Sequence, residues 1–235
     1  MKGLMTIGLL VGFGVALFAL GGESDDVPDE GIAVVELYTD LKCGRCNLIS
    51  KIEAAAALDG TLVFTLAFVS TLKSPQGHAR HKAYCDAFDT SCEFGQVVIN
   101  GDTLLDPERS AVALRSAVTE ALEPPREVKF EVSHRTARTG GLFVTYALEP
   151  PLEGLEVHAV LLEDMLKVSH WPDGRPFAQK PLNRVVRAFA TGTEPEGELR
   201  LDADEAVYEH NASILVFAQD PETLSIVGAV EIIRL

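Results

Sequence analysis

Hydrophobic positions fall into two regimes along the chain. Between Ile32 and Leu122, continuous apolar runs alternate with stretches of helical spacing, whereas from Glu127 onward short runs are separated by Gly, Pro, Asp and Asn. In the first regime, Ile32 to Thr39 and Thr61 to Val69 are apolar throughout and of strand length, the pattern of strands buried on both faces. Cys46 to Leu58 and His78 to Phe88 carry the spacing of helices. Gln96 to Asn100 reads as a third strand, and Asn100-Gly101-Asp102 turns it into a short fourth at Thr103 to Leu105. Asp106-Pro107-Glu108 is a helix start, and Ser110 to Leu122 forms a helix stopped by Pro124-Pro125.

The resulting order, β-α-β-α-β-β-α, is the minimal thioredoxin arrangement, with two parallel strands and a terminal hairpin in one sheet covered by helices. The second regime contains runs at Val128 to Val132, Leu142 to Leu148, Val157 to Leu162, Ala206 to Tyr208, Ser213 to Ala218 and Ile226 to Ile233. These predict an antiparallel sandwich, interrupted by a short helical or irregular stretch near Pro181 to Phe189. The expected fold class is therefore an α/β thioredoxin-like N-terminal domain over residues 32–123, followed by a mostly-β, sandwich-like C-terminal domain over residues 127–235.

The N-terminal residues add a location. Lys2 precedes an uncharged apolar stretch from Gly3 to Gly22, and Ala19-Leu20-Gly21 is a small-x-small cleavage pattern, so residues 1–22 read as a signal peptide or membrane anchor. Uncleaved, residues 3–22 are long enough to tether the protein to a bilayer. Residues 23–31 are a short acidic linker broken by Pro28. Either route makes the folded part periplasmic or extracytoplasmic, where disulfides form and persist. The net charge of −15 over 235 residues, with no dense basic run, argues against a nucleic-acid partner.

Four cysteines carry the candidate chemistry. Cys43-Gly44-Arg45-Cys46 lies between the first predicted strand and the first predicted helix. There the unsatisfied N–H groups and dipole of a helix start, with the Arg45 charge, lower the pKa of Cys43 and make it the attacking thiolate. Cys46 is placed to resolve the mixed disulfide. The same spacing also suits a structural disulfide or half of a zinc site. Cys85 and Cys92 are a second pair, read as a local disulfide, a relay exchanging with Cys43 and Cys46, free thiols, or part of a four-Cys or Cys/His metal site that includes His78 or His81. Glu36 interrupts an apolar strand, either at an outward-facing edge or as a buried carboxylate that shuttles protons. Asn183, Arg184 and Arg187 would form a polar surface on the second domain, and Trp171 a core or rim anchor. The sequence contains no phosphate-binding loop, serine nucleophile elbow or His-Glu-x-x-His motif.

Val35-Glu36-Leu37-Tyr38-Thr39 followed by the C-x-x-C, then Arg80, Ala83 and Tyr84, then Gln96 to Gly101, together resemble the secreted thioredoxin-like family catalogued as domain of unknown function 1223. A tract near Asn183 to Arg187 extends the resemblance weakly into the second half. The family has a proline before the third strand where this chain has Gly95, and glycine supplies unusual backbone angles without favouring a cis bond. It also has an aromatic segment where this chain reads Phe68-Val69-Ser70-Thr71. The expected function is thiol-disulfide exchange with protein thiols or disulfides of exported proteins, by Cys43 and Cys46, modulated by Arg45, Glu36 and Gly95, with no cofactor and no resident metal. The alternatives are a non-catalytic envelope binding module with structural disulfides, and a copper- or zinc-handling protein.

Overall fold

A computed structural model describes residues 31–39, 63–70, 75–106, 111–122, 128–136, 141–167, 182–203, 207 and 209–233. Eleven strands and two α-helices are formed among them. The first half supplies β1 (Ala33–Thr39), β2 (Val63–Val69), α1 (Pro75–Ala87), β3 (Gln96–Ile99), β4 (Thr103–Leu105) and α2 (Ala111–Leu122). The second supplies β5 (Lys129–Thr136), β6 (Leu142–Glu149), β7 (Glu156–Glu163), β8 (Val185–Gly192), β9 (Glu196–Leu201), β10 (Ala212–Gln219) and β11 (Ile226–Ile233).

The expected fold class is overturned by how these strands pair. The protein is mostly β, and β11-β10-β7-β8-β2-β1-β3-β4 form one mixed sheet of eight strands, so strands from both halves share a single sheet. The N-terminal half is thus no self-contained α/β thioredoxin-like domain. The seam is the parallel pairing of β2 with β8 at Ala67 and Val185. There Ala67 donates its N–H to the Arg184 carbonyl at 2.8 Å, and the Arg184 side chain donates to the Thr65 carbonyl at 2.9 Å. The remaining strands, β5-β6-β9, form a separate antiparallel sheet. Where a helical or irregular stretch was expected near Pro181 to Phe189, the chain instead enters β8, and β9 follows it. The expected helix Cys46 to Leu58, the segment 1–22 and all of the 23–31 linker except Gly31 lie outside the described residues, as does the boundary near 123–127. Among the described residues no helix is long and apolar enough to cross a membrane.

Alternation of side chains along the strands divides the core by face. Ala33, Val35 and Leu37 of β1 pack with Ala67, Val97 and Ile99 under Leu114 and Val118 of α2. Val34 and Tyr38 point the other way, into a cluster with Phe68, Tyr84 of α1, Val186 and Phe217. Toward the far end of the large sheet, Val157, Ala159, Leu161, Ile214 and Val216 pack against Val144, Tyr146, Leu148, Leu199 and Leu201 of the small sheet. Every residue of β1 is buried, as expected for a strand flanked on both sides and covered on both faces.

The Asn100-Gly101 turn joins β3 to β4 and also ties the two halves together. Asn100 is fully buried at φ +50; its side chain accepts the Val34 N–H at 2.8 Å and donates to the Ile32 carbonyl at 2.9 Å. Its carbonyl accepts the Ile226 N–H at 2.8 Å, which links the hairpin to the start of β11.

Candidate functional site

Glu36 is buried on the interior strand β1, not at an edge, and it meets a cation from α1. Arg80 donates Nε–H to Glu36 Oε2 at 2.5 Å and Nη2–H to Oε1 at 2.8 Å, a two-pronged pair that uses the planar guanidinium fork. Tyr38 and Tyr84 each donate a hydroxyl hydrogen to the same carboxylate at 2.7 Å. Burial, reinforced by the Glu36 charge, raises both phenols well above their ordinary pKa, so they act as donors at any working pH. Burial opposes the Arg80 charge, but the Glu36 carboxylate outweighs it and the guanidinium is held protonated. Its carbon also lies 5.0 Å from the Phe217 ring centre and 5.1 Å from that of Tyr84.

Gln219, the last residue of β10, extends this network into the second half. Its carbonyl oxygen accepts from Arg80 Nη1 at 2.7 Å and from His158 Nε2 at 3.1 Å, and its amide donates to Tyr84 and to the Leu224 carbonyl. The acceptor-only Gln219 oxygen opposite Nε2 makes the ring the Nε2–H tautomer, so His158 Nδ1 accepts from the Thr191 hydroxyl at 2.9 Å. Burial and the Arg80 charge push the His158 pKa down to about 3, so the ring is neutral. With its charges paired and its polar atoms bonded to one another, the network is a lock rather than a reaction centre. Its effect is to fix α1 against β1 and β10. A cavity of about 300 Å³ borders it at Arg80, His158, Thr191 and Gln219.

The residues of α1 next to the lock face a different space. A second cavity, of about 470 Å³, opens where the parallel strands β1 and β2 end, lined by Tyr38, Thr39, Phe68, Val69 and Ser70 together with Gly77, His78, Ala79, His81 and Phe94. Clefts at the carboxyl ends of parallel strands are where open sheets bind ligands. Phe68, Tyr38 and His81 stack in series, with ring centres 5.1 and 4.3 Å apart and planes within 4°. His81 Nε2 lies 2.8 Å from the Gln96 carbonyl oxygen, which also accepts the Glu93 N–H. Burial lowers the His81 pKa, the Gln96 hydrogen bond partly offsetting it, so the imidazole is a neutral base. Phe94 is 44% exposed at the rim, an apolar side chain available to a bound molecule.

Gly95 sits beside this cavity at φ +97 and donates its N–H to the Tyr38 carbonyl at 2.6 Å, pinning the start of β3 to the end of β1. The cis peptide bond of the described residues lies elsewhere, at Glu149-Pro150. Cys85 and Cys92 are joined in a disulfide that closes the end of α1 onto the loop before β3. Cys43, Arg45 and Cys46 lie outside the described residues, as does Trp171. Asn183, Arg184 and Arg187 form no open polar surface. Arg184 pairs with Glu231 at 2.5 Å, Arg187 pairs with Glu163, and Asn183 accepts the Met165 N–H. Sequence reasoning missed the roles of Tyr38, Gln219 and His158. The available signal was the i, i+4 spacing of Arg80 and Tyr84, which puts a cation and a phenol on one helix face opposite the lone acid of an apolar strand.

No protein-family model matches the chain, and no curated protein does. Among solved structures, the chain is similar to HBP35 of Porphyromonas gingivalis, with a TM-score of 0.68 and 13% identity over 86% of this chain and 75% of that one. A domain of the outer membrane lipoprotein Omp28 from Porphyromonas gingivalis aligns over 47% of this chain and 90% of its own, at 16% identity and a TM-score of 0.29. The first likeness is one of fold, and the second is too slight to support an argument.

Proposed function

We infer that the protein is an exported envelope protein that exchanges disulfides with the thiols of other exported proteins, Cys43 attacking and Cys46 resolving. The observation that carries this reading is the cavity at the carboxyl ends of β1 and β2. Cys43 follows Thr39 of its lining by four residues, a reach of at most about 15 Å. The exposed Phe94 offers a substrate chain an apolar contact at the rim, and the stacked Tyr38 and His81 rings line the wall behind it. Location outside the cytoplasm is supported by the apolar segment Gly3 to Gly22 and by the closed Cys85–Cys92 bond, which would be reduced in the cytosol.

In the reducing direction, the Cys43 thiolate attacks a substrate disulfide, forming a mixed disulfide and releasing one substrate thiolate. Cys46 then attacks Cys43, frees the second substrate thiol and leaves the Cys43–Cys46 disulfide, so two electrons pass to the substrate. His81 is a neutral base at the cavity wall, suited to take the proton of an attacking thiol.

The test is equilibration in glutathione buffers with mass mapping of every thiol. A Cys43/Cys46 potential between about −120 and −270 mV agrees with an exchange protein. One below about −300 mV marks a structural staple and favours the binding-module alternative.

A further inference from the structure

We propose that His81, Cys85 and Cys92 form a redox-gated site for a thiophilic closed-shell cation such as Zn²⁺ or Cu⁺, assembled when the Cys85–Cys92 disulfide is reduced. Donor atoms of the three residues already lie within 4.8 Å of one another. Zinc bonds of about 2.0 to 2.3 Å separate neighbouring tetrahedral ligand atoms by roughly 3.5 to 4 Å, so a small opening of the sulfurs suffices. The cysteine Cα atoms, 5.5 Å apart, need little movement to permit it.

The positions are set by local structure. His81 and Cys85 are one turn apart on α1, which brings an imidazole and a thiol to the same face, and the loop before β3 delivers Cys92. The helix is held by the neighbouring Arg80 and Tyr84, both bonded to Glu36, so two of the three ligands sit on a fixed element. Two thiolates and a neutral imidazole suit zinc or monovalent copper rather than calcium or magnesium. The side-chain carbonyl oxygen of Gln96 accepts from His81 Nε2 at 2.8 Å and holds the ring in place, as a partner behind a metal-binding histidine does. Cys92 is exposed, which gives reductant and cation an approach, while His81 and Cys85 are buried and form a dry wall.

The chemistry balances with an external dithiol as reductant. Two electrons and two protons pass from it to the Cys85–Cys92 bond, which breaks, and the dithiol leaves as its cyclic disulfide. Each new thiol then loses its proton to solvent as the cation binds. The oxidised protein offers no thiolate and binds no cation here.

The full chain carrying Cys43→Ser and Cys46→Ser separates this site from the exchange pair, so the outcome is independent of the function inferred above. After phosphine reduction and anaerobic desalting, Co²⁺ is titrated as the spectroscopic stand-in for Zn²⁺. The expected result is one Co²⁺ per chain, with a thiolate charge-transfer band and strong four-coordinate d–d bands that Zn²⁺ abolishes and the oxidised chain never shows. His81→Asn in the same background shifts the d–d bands and weakens binding by about tenfold or more. A natively folded, reduced chain without the charge-transfer band overturns the proposal, as does a spectrum unmoved by His81→Asn. If the reduced chain unfolds without metal, recovery of its circular dichroism on adding Zn²⁺ supports the site, and no recovery overturns it.

Discussion

Glu36 and Arg80 stand 44 residues apart in sequence and meet as a two-pronged ion pair beneath helix α1. The carboxylate is fully buried and the guanidinium nearly so, so neither charge has water to fall back on. Removing one partner of such a pair strands the other, at a cost of about 3 to 5 kcal/mol. Glu36→Gln is expected to lower the unfolding free energy by that amount, read as a lower urea midpoint with an unchanged slope. Arg80→Gln alone should cost a similar amount, and the double variant less than the sum of the two. Additive losses in the double-mutant cycle would show that the two side chains act independently.

The pair also marks what sequence could and could not supply. β1, β2 and the β3-β4 hairpin announce themselves through continuous apolar runs and the Asn100-Gly101 turn. Helices α1 and α2 were expected within a few residues of Pro75–Ala87 and Ala111–Leu122. These are local patterns, set by burial on two faces and by backbone preference. The merging of the halves has no such signature, because it rests on Ala67 pairing with Val185 and on Arg184 reaching Thr65. Strand β8 was misread since Val185–Gly192 carries Arg187 and small residues, which blur alternation; Arg187 is neutralised by Glu163, a contact visible only in three dimensions. Glu36 stands out in the sequence as the lone acid of an apolar strand, but whether such an acid faces water or an arginine depends on which strands flank it.

Gly101 tests the tie between the hairpin and the C-terminal strands. Its φ is +77, and a Cβ there would lie 1.7 Å from the Leu224 carbonyl oxygen, a backbone atom that cannot swing aside. Gly101→Ala therefore combines a left-handed backbone with a clash, and is expected to destabilise by more than the ~1 kcal/mol that a side chain at positive φ costs alone. Denaturant unfolding measures it. A loss below that value would mean that the 220s loop yields and that the tie is weak.

The Cys85–Cys92 bond closes a loop of sequence separation 7, so its removal should be felt but not fatal. Loop-closure entropy for so short a ring gives about 2 to 3 kcal/mol. Cys85→Ala with Cys92→Ala is expected to lower stability by that amount. A reducing agent should produce a similar loss in the parent chain and none in the variant. A further loss in the variant under reduction would identify a second stabilising disulfide, for which Cys43 and Cys46 are the remaining thiols.

His158 gives the fold a pH dependence of defined sign. In the folded protein its pKa is about 3, because burial and the Arg80 charge disfavour the imidazolium, whereas in the unfolded chain it titrates near 6.5. Between these values the unfolded state binds a proton that the folded state refuses. The contribution of His158 is therefore fully present above about pH 6.5 and is lost progressively as the pH falls toward 3, with a slope of up to about 1.4 kcal/mol per pH unit. His81, shifted in the same direction by burial, adds to the trend. His158→Gln supplies an uncharged side chain able to donate to Gln219 and accept from Thr191, the two bonds made by the native ring. Unfolding free energies of the two proteins, measured from pH 7 to pH 4, are expected to converge as the pH falls, since the variant lacks the proton-binding penalty. A constant difference across that range would mean that His158 protonates as readily in the folded chain as in the unfolded one, and that the Arg80 network does not exclude the imidazolium.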